Sequence, residues 1–381
     1  MMLGFSRSQI KSIGDKMRHH IPLSRDEERM FAQYRIAHKR ILYDFFTMHS
    51  NLISNSDWKE KKIVLAARLK KRVTIEAKLS SRLTQMNLAR MHDIVGCRLI
   101  FNKIEDLLQY RDMFTNGDWA EKYIRLPCSD KYDYISHPRE TGYRGIHDIF
   151  EEMGEDGIPA RIEVQYRTSI QHSWATALEV WDRRGGKGAK FGLEDGNVQL
   201  FFRDVSEMFW RYLDSPDHSS RLPLSDYELY KEVCQLDKRY NIINFFSSIK
   251  RQDDRVVVLE SDERKNEALL RAALDVGPGI SFGKIDSSLD TVDIGDKLIK
   301  QLFEDEGVQG SNSVLVSVSG RSFAKAYNNY FDDVRRFRKF LSKALLRNDE
   351  KQFSFWERRI IRQIQNKAKS LQYDDKEVVV S

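Results

Sequence analysis

Proline is scarce in this sequence, with 7 in 381 residues, and so is cysteine, with 3. So little proline, together with only 20 glycines, excludes a collagen-like or low-complexity scaffold and points to a helix-rich globular chain. Cys97, Cys128 and Cys234 lie far apart and fit no metal-ligand spacing, which excludes a zinc or disulfide framework and suits a reducing, cytoplasmic compartment. Long hydrophobic runs are missing too. The opening MMLGFSRSQIKSIGDKMRHH meets charge within its first turns, so no signal peptide is expected, and no membrane span is expected there or later. An acidic excess is also absent. The 63 Lys and Arg against 57 Asp and Glu give +6, a balance compatible with nucleotides, nucleic acid or an anionic surface that does not choose among them.

What is present is a mixture of two periodicities. Met30, Phe31, Tyr34, Ile41, Leu42 and Phe45 recur at helical spacing, which predicts an amphipathic helix over 26–52. A second, Lys- and Arg-dense helical stretch is expected over 57–88. Short strands follow at Cys97–Phe101, Gly145–Phe150 and Arg161–Tyr166, with helices over 104–114 and 169–181. The expected fold class is therefore α/β (α+β): a mixed sheet flanked by helices. SPDHSSRLPLSD carries the clearest linker composition in the chain. The expected organisation is a domain over 1–215 with N-terminal helices, a linker at 216–226 and a C-terminal module over 227–381. That module shows strand patterns at Val256–Glu260 and Ser313–Val318, a helix over 266–274, and basic helices over 324–346 and 353–371.

Between Arg68 and Trp181 the polar residues follow an order. Basic residues come first, Asp93 precedes a strand, a Gly-Tyr-Arg turn follows, and Glu163 sits inside a strand. Phosphoryl transfer needs such parts: carboxylate oxygens for a metal, cations for phosphates, a platform for a base, and an acceptor for the proton of an attacking hydroxyl. Each residue alone has a plainer reading. Asp93 could cap a turn with Arg98 as its surface partner, Glu163 and Gln165 could line a solvent-facing strand, and Tyr143 could be packing.

Together the pieces resemble the RelA/SpoT synthetase family, the nucleotide pyrophosphokinases that make (p)ppGpp. The residues that carry the resemblance are RLKKRVTIEAK at Arg68–Lys78, HDIVGCR at His92–Arg98, YDYISHPRETGYRGIH at Tyr132–His147, IEVQYRT at Ile162–Thr168 and HSWATALE at His172–Glu179. The resemblance covers about the first 215 residues and nothing after Leu224. It implies transfer of the β,γ-pyrophosphate of ATP to the 3′-hydroxyl of GDP or GTP. Residue by residue, it implies that Arg68 and Arg98 sandwich adenine and that Lys70 and Lys78 hold the triphosphate. Asp93 and Glu163 become the acids that hold Mg²⁺, with Glu163 also activating the acceptor hydroxyl. Tyr143 becomes the ring under the acceptor base, with Arg139, Arg144, His147, Gln165 and Arg167 around it. Fewer residues precede Arg68 than the hydrolase domain of fused members needs, so synthesis without hydrolysis is expected.

The sequence departs from the family pattern on the acceptor side, at Tyr132, Arg139 and Gly145. Toxic relatives pyrophosphorylate the 3′ end of tRNA, and the basic C-terminal segment would suit that acceptor. A non-catalytic nucleotide or RNA sensor is a third reading. Self-association into a homo-oligomer is left open.

Overall fold

A computed structural model of the chain describes residues 6–54, 57–70, 72–81, 86–117, 122–152, 158–184, 196–215, 221–249, 257–261, 315–319, 334–347 and 353–371. The helix expected over 266–274 and residues 324–333 of the expected basic helix lie outside these. The chain opens with α1 (Arg7–Arg18), α2 (Arg25–Ala37) and α3 (Lys39–Ser54). The single helix expected over 26–52 is thus two, divided at His38. That ring is buried, with its Nδ1 2.9 Å from the Tyr34 carbonyl oxygen.

Next come β1 (Val64–Leu69), α4 (Arg72–Ser80), β2 (Val95–Phe101), α5 (Ile104–Thr115), β3 (Tyr123–Arg125), β4 (Ile146–Glu152) and β5 (Arg161–Thr168). The helix expected over 57–88 is therefore corrected to a 3-10 turn, a strand and a shorter helix. Val64, Leu65, Ala66, Ala67 and Leu69 are all buried, so both faces of β1 are covered and no alternation of period two is left to read. Its two alanines favour a helix by propensity, and tertiary pairing overrides them.

The sheet is mixed, as expected, in the order β3-β4-β5-β2-β1-β7-β6, where β6 is Val257–Ser261 and β7 is Leu315–Ser319. The inner pair β2–β5 is parallel, while β1–β2, β4–β5, β3–β4 and β1–β7 are antiparallel. Register sorts the side chains, because directly paired residues share a face. Val95, Cys97, Leu99, Ile162, Val164 and Tyr166 pack against the N-terminal helices in one buried cluster. Arg68 pairs with Gly96, Gly96 with Glu163, Arg98 with Gln165 and Gln165 with His147, so these residues occupy the other face.

After β5 come α6 (Ser169–Arg184), α7 (Gly196–Phe209), a π-helical turn over Trp210–Asp214, α8 (Asp226–Tyr240), α9 (Ile242–Ser248), α10 (Arg335–Leu345) and α11 (Phe355–Ser370). Their apolar faces form a second buried cluster, which includes Trp174, Phe202 and Phe209 before the 216–226 segment and Val233, Phe246, Phe337 and Ile364 after it. Among the described residues, no helix is long and apolar enough to cross a membrane.

Candidate active site

The polar face of the sheet carries two groups of side chains that meet at Glu163. On the first side, Lys70 follows β1, Lys78 lies on α4, and Asp93 ends the loop into β2. Lys78 Nζ donates to both Asp93 oxygens at 2.9 Å, and Lys70 Nζ donates to Oδ2. The lysine side chains are 9% and 30% exposed, and that of Asp93 14%. Burial pushes the Asp93 carboxyl up, but the charges of Lys70 and Lys78 outweigh it and hold it below the usual carboxylate range. The charge of Glu163 pushes the Asp93 carboxyl up, and the Lys78 ammonium pulls both acids down.

On the second side a chain of hydrogen bonds runs away from Glu163. His147 Nδ1 lies 3.0 Å from Glu163 Oε1, and Gln165 Nε2 donates to Oε2 at 2.5 Å. The Tyr143 hydroxyl lies 2.6 Å from His147 Nε2 and accepts from Arg167 Nη2 at 2.9 Å and Nε at 3.2 Å. Arg167 Nη2 also donates to Gln165 Oε1 at 3.2 Å. Burial lowers the His147 imidazole, yet the negative charge that Tyr143 carries when ionised and the Glu163 carboxylate together raise it to about 9. Burial raises Tyr143, but Arg167 and His147 bring it down to about 8. Glu163 is pushed up by burial and pulled well below its ordinary value by His147, with Lys78 adding to the pull, so it is ionised at neutral pH.

Glycine gives the turn its shape. Gly142 (φ 87°) and Gly145 (φ 146°) occupy backbone regions that side chains rarely adopt, and they flank the residues Tyr143 and Arg144. The Tyr143 ring meets Tyr134 edge-on at 5.5 Å, and the Arg139 guanidinium lies 4.3 Å from the Tyr134 ring centre and 5.6 Å from that of Tyr143. Two rings and one guanidinium thus form a half-open aromatic corner beside His147.

Of the site residues expected from sequence, Lys70, Lys78, Asp93, Glu163, Gln165, His147, Tyr143, Arg167 and Arg139 come together in these two groups. Arg98 shares the sheet face with Glu163 and Gln165 and is 7% exposed. Arg68 sits on β1 opposite Gly96, and its side chain lies outside what is described. Arg144 turns the other way, donating from Nη2 to Glu207 Oε2 of α7 at 2.7 Å. Sequence reasoning passed over Tyr134, whose only signal was its place in the YDYI run, and Glu207, which carries no motif. His172 is buried, and neither ring nitrogen has a hydrogen-bond partner among the described residues; burial, with Arg98 and Arg167 nearby, keeps the ring neutral.

Residues 67–181 match the region found in RelA / SpoT proteins. This segment is a RelA/SpoT region. Within it lie every one of the residues just described except Glu207. Over 108 residues the chain is 34% identical to "Probable GTP diphosphokinase RSH3, chloroplastic" of Oryza sativa subsp. japonica, and over 109 residues 32% identical to its counterpart in Arabidopsis thaliana. These matches take in 28% and 29% of the chain but only 14% of each relative's length. Among solved structures, the small alarmone synthetase 1 of Bacillus subtilis bound to its product pppGpp is similar over 47% of this chain and 90% of that one, at 16% identity and a TM-score of 0.37. A GTP pyrophosphokinase family protein of Streptococcus pneumoniae is similar over 44% and 83%, at 18% identity and a TM-score of 0.34.

Proposed function

We propose that this chain is a nucleotide pyrophosphokinase that transfers the β,γ-pyrophosphate of ATP to the 3′-hydroxyl of GDP or GTP. The observation that carries the reading is the position of Glu163. It is ionised, it lies between a lysine–aspartate cluster suited to a triphosphate and an aromatic corner suited to a base, and it accepts a hydrogen bond from His147.

The residues fit Mg²⁺. Two ionised acids share one electrostatic field, and among the described residues no three metal-ligating side chains converge into a protein-only cage. Mg²⁺ commonly takes one or two carboxylates and completes its shell with phosphate and water, so Asp93 and Glu163 would hold it. When bound, it supplies charge neutralisation at the bridging phosphate oxygens. Lys70 and Lys78, engaged on Asp93 without ligand, are placed to turn their ammonium groups to phosphate oxygens. Arg98 lies on the same face for adenine, and Tyr143 and Tyr134 offer rings to the acceptor base. Glu163 takes the proton of the 3′-hydroxyl as that oxygen forms its bond to the β-phosphorus and the bond from the β-phosphorus to the α-phosphate oxygen breaks. AMP leaves with that electron pair. His147 holds Glu163 in orientation, and Gln165 fixes its second oxygen.

Glu163→Gln should lower kcat by roughly 10²–10⁴-fold with the fold intact. Retained turnover sinks the assignment. One observation favours tRNA as a second acceptor. α10 and α11 hold ten basic residues and one acidic, and Phe355 and Trp356 on α11 are 75% and 68% exposed, as base-stacking platforms on RNA-binding surfaces are. Labelled ATP offered with GDP, GTP and deacylated tRNA separates the acceptors by where the label goes.

A further inference from the structure

The turn that carries Tyr143 does not stand on the sheet alone. α7 holds it at Gly142 and Arg144, the two residues on either side of Tyr143. At Gly142 the backbone approaches so closely that a Cβ there would lie 2.7 Å from Arg203 Cα and 3.1 Å from Ser206 Cβ. Ser206 Oγ donates to the Gly142 carbonyl oxygen at 2.5 Å. Arg144, one residue beyond Tyr143, donates to Glu207 at 2.7 Å, and both side chains are 5% exposed or less. Tyr143 is therefore bracketed on both sides by contacts to α7.

Glu207 does more than hold Arg144. Its Oε2 takes the Arg144 guanidinium, while its Oε1 accepts from Arg211 Nε at 2.8 Å and from the backbone N–H groups of Arg221 at 2.8 Å and Leu222 at 3.3 Å. Arg211 in turn donates to Asp226 at 3.0 Å and to the Leu222 carbonyl oxygen at 2.9 Å. A single buried carboxylate thus joins the Tyr143 turn to the segment that leads into α8. A carboxylate with this many donors fixes the geometry of all of them, and neutralising it leaves two guanidinium groups and a backbone turn without their shared acceptor.

We infer that Glu207 is a positioning residue for the acceptor: through Arg144 it sets where the Tyr143 ring lies, and through residues 221–222 it makes that position depend on the packing of the C-terminal helices. The inference rests on the proposed reading of Tyr143 as the acceptor-side ring. Glu207 itself, 1% exposed, reaches no substrate.

The test uses the full chain and has two arms. In Glu207→Gln, amide hydrogen exchange at Gly142 and Arg139, whose N–H groups are bonded within the turn, should accelerate about tenfold or more while β5 amides keep their rates. In the kinetic arm, KM for the guanine nucleotide should rise about tenfold with KM for ATP within about twofold. Ser206→Ala removes only the bond to the Gly142 carbonyl oxygen; it should shift both readouts in the same direction and serves if Glu207→Gln does not fold. Unchanged turn exchange overturns the inference, and so does acceleration spread evenly over the chain, which would make Glu207 a general stabiliser. An unaltered protein that transfers no pyrophosphate to GDP or GTP refutes the proposed reaction instead, and the exchange arm still decides whether Glu207 holds the turn.

Discussion

Asp93→Asn separates the charge of this residue from its shape. The substitution removes the carboxylate that two ammonium groups share while keeping volume and one acceptor oxygen. Lys70 is the partner that suffers, since its side chain is 9% exposed, whereas Lys78 at 30% can turn toward water. Breaking a buried ion pair from one side costs about 3–5 kcal/mol. Discounting for the relief open to Lys78 and the remaining amide oxygen, we expect a loss of about 2–4 kcal/mol at pH 7, read as a lower urea midpoint at unchanged m. The sign of the pH dependence follows from the lowered folded pKa. The stabilisation is complete above about pH 4, the unfolded aspartate value, and disappears as pH falls through the lower folded value. Wild type and variant should therefore differ fully at neutral pH and converge in acid. Lys70→Met should recover part of the loss when combined with Asp93→Asn, since it removes the more buried of the two ammonium charges. A variant as stable as wild type at pH 7 would refute the reasoning.

Three further substitutions probe other links. Gly145→Ala forces a side chain onto φ 146° and brings a Cβ within 3.2 Å of Arg167 Cγ and 3.3 Å of the Tyr143 hydroxyl. It should cost on the order of 1–3 kcal/mol by urea denaturation, and a change under about 0.5 would contradict the strain argument. Asp214, which burial raises to about 6, binds its proton more tightly folded than unfolded, so stability should fall as pH climbs from about 4 to about 6. Asp214→Asn keeps an acceptor for Thr168 and Gln171 and should flatten that slope, stabilising the chain by roughly 1–3 kcal/mol at pH 7; an unaltered slope counts against it. Asp148→Asn, which deprives Arg111 and Arg125 of a fully buried partner, should cost about 3–5 kcal/mol, checked by the same denaturation.

How much of this was legible in the sequence depended on burial. β5 announced itself because Ile162, Val164 and Tyr166 face the core while Glu163, Gln165 and Arg167 do not, and alternation survives wherever the two faces differ. β1 hid for the opposite reason. The order of Lys70, Lys78, Asp93, Gly142, Tyr143, His147 and Glu163 told which residues belong together because each is a chemically specific type within a short motif. Arg144 has the same composition as a ligand-binding arginine and the same place in the motif, and only the backbone of the turn decides that it points to α7. Glu207 could not be found in advance, since a carboxylate in an amphipathic helix looks the same whether it faces water or four hydrogen-bond donors of the protein.

The two aspartates at the two faces of the sheet show how similar chemistry serves different ends. Asp148, on the face of the N-terminal core, is fully buried and receives paired bonds from Arg111 at 2.8 and 3.0 Å and another from Arg125 at 2.8 Å. Guanidinium forks lock such a carboxylate in place, and the arrangement offers no route to exchange one partner for another. Asp93, on the opposite face, is held by ammonium groups, which are point charges on flexible stems and can leave one anion for another at little geometric cost. If the proposed reading holds, lysine at 70 and 78 would let Asp93 be stabilised in the resting cluster and still be released to a metal and a triphosphate. Replacing those lysines by arginine would, by the same fork geometry, tighten the hold on Asp93 and, under the proposed reading, lower turnover.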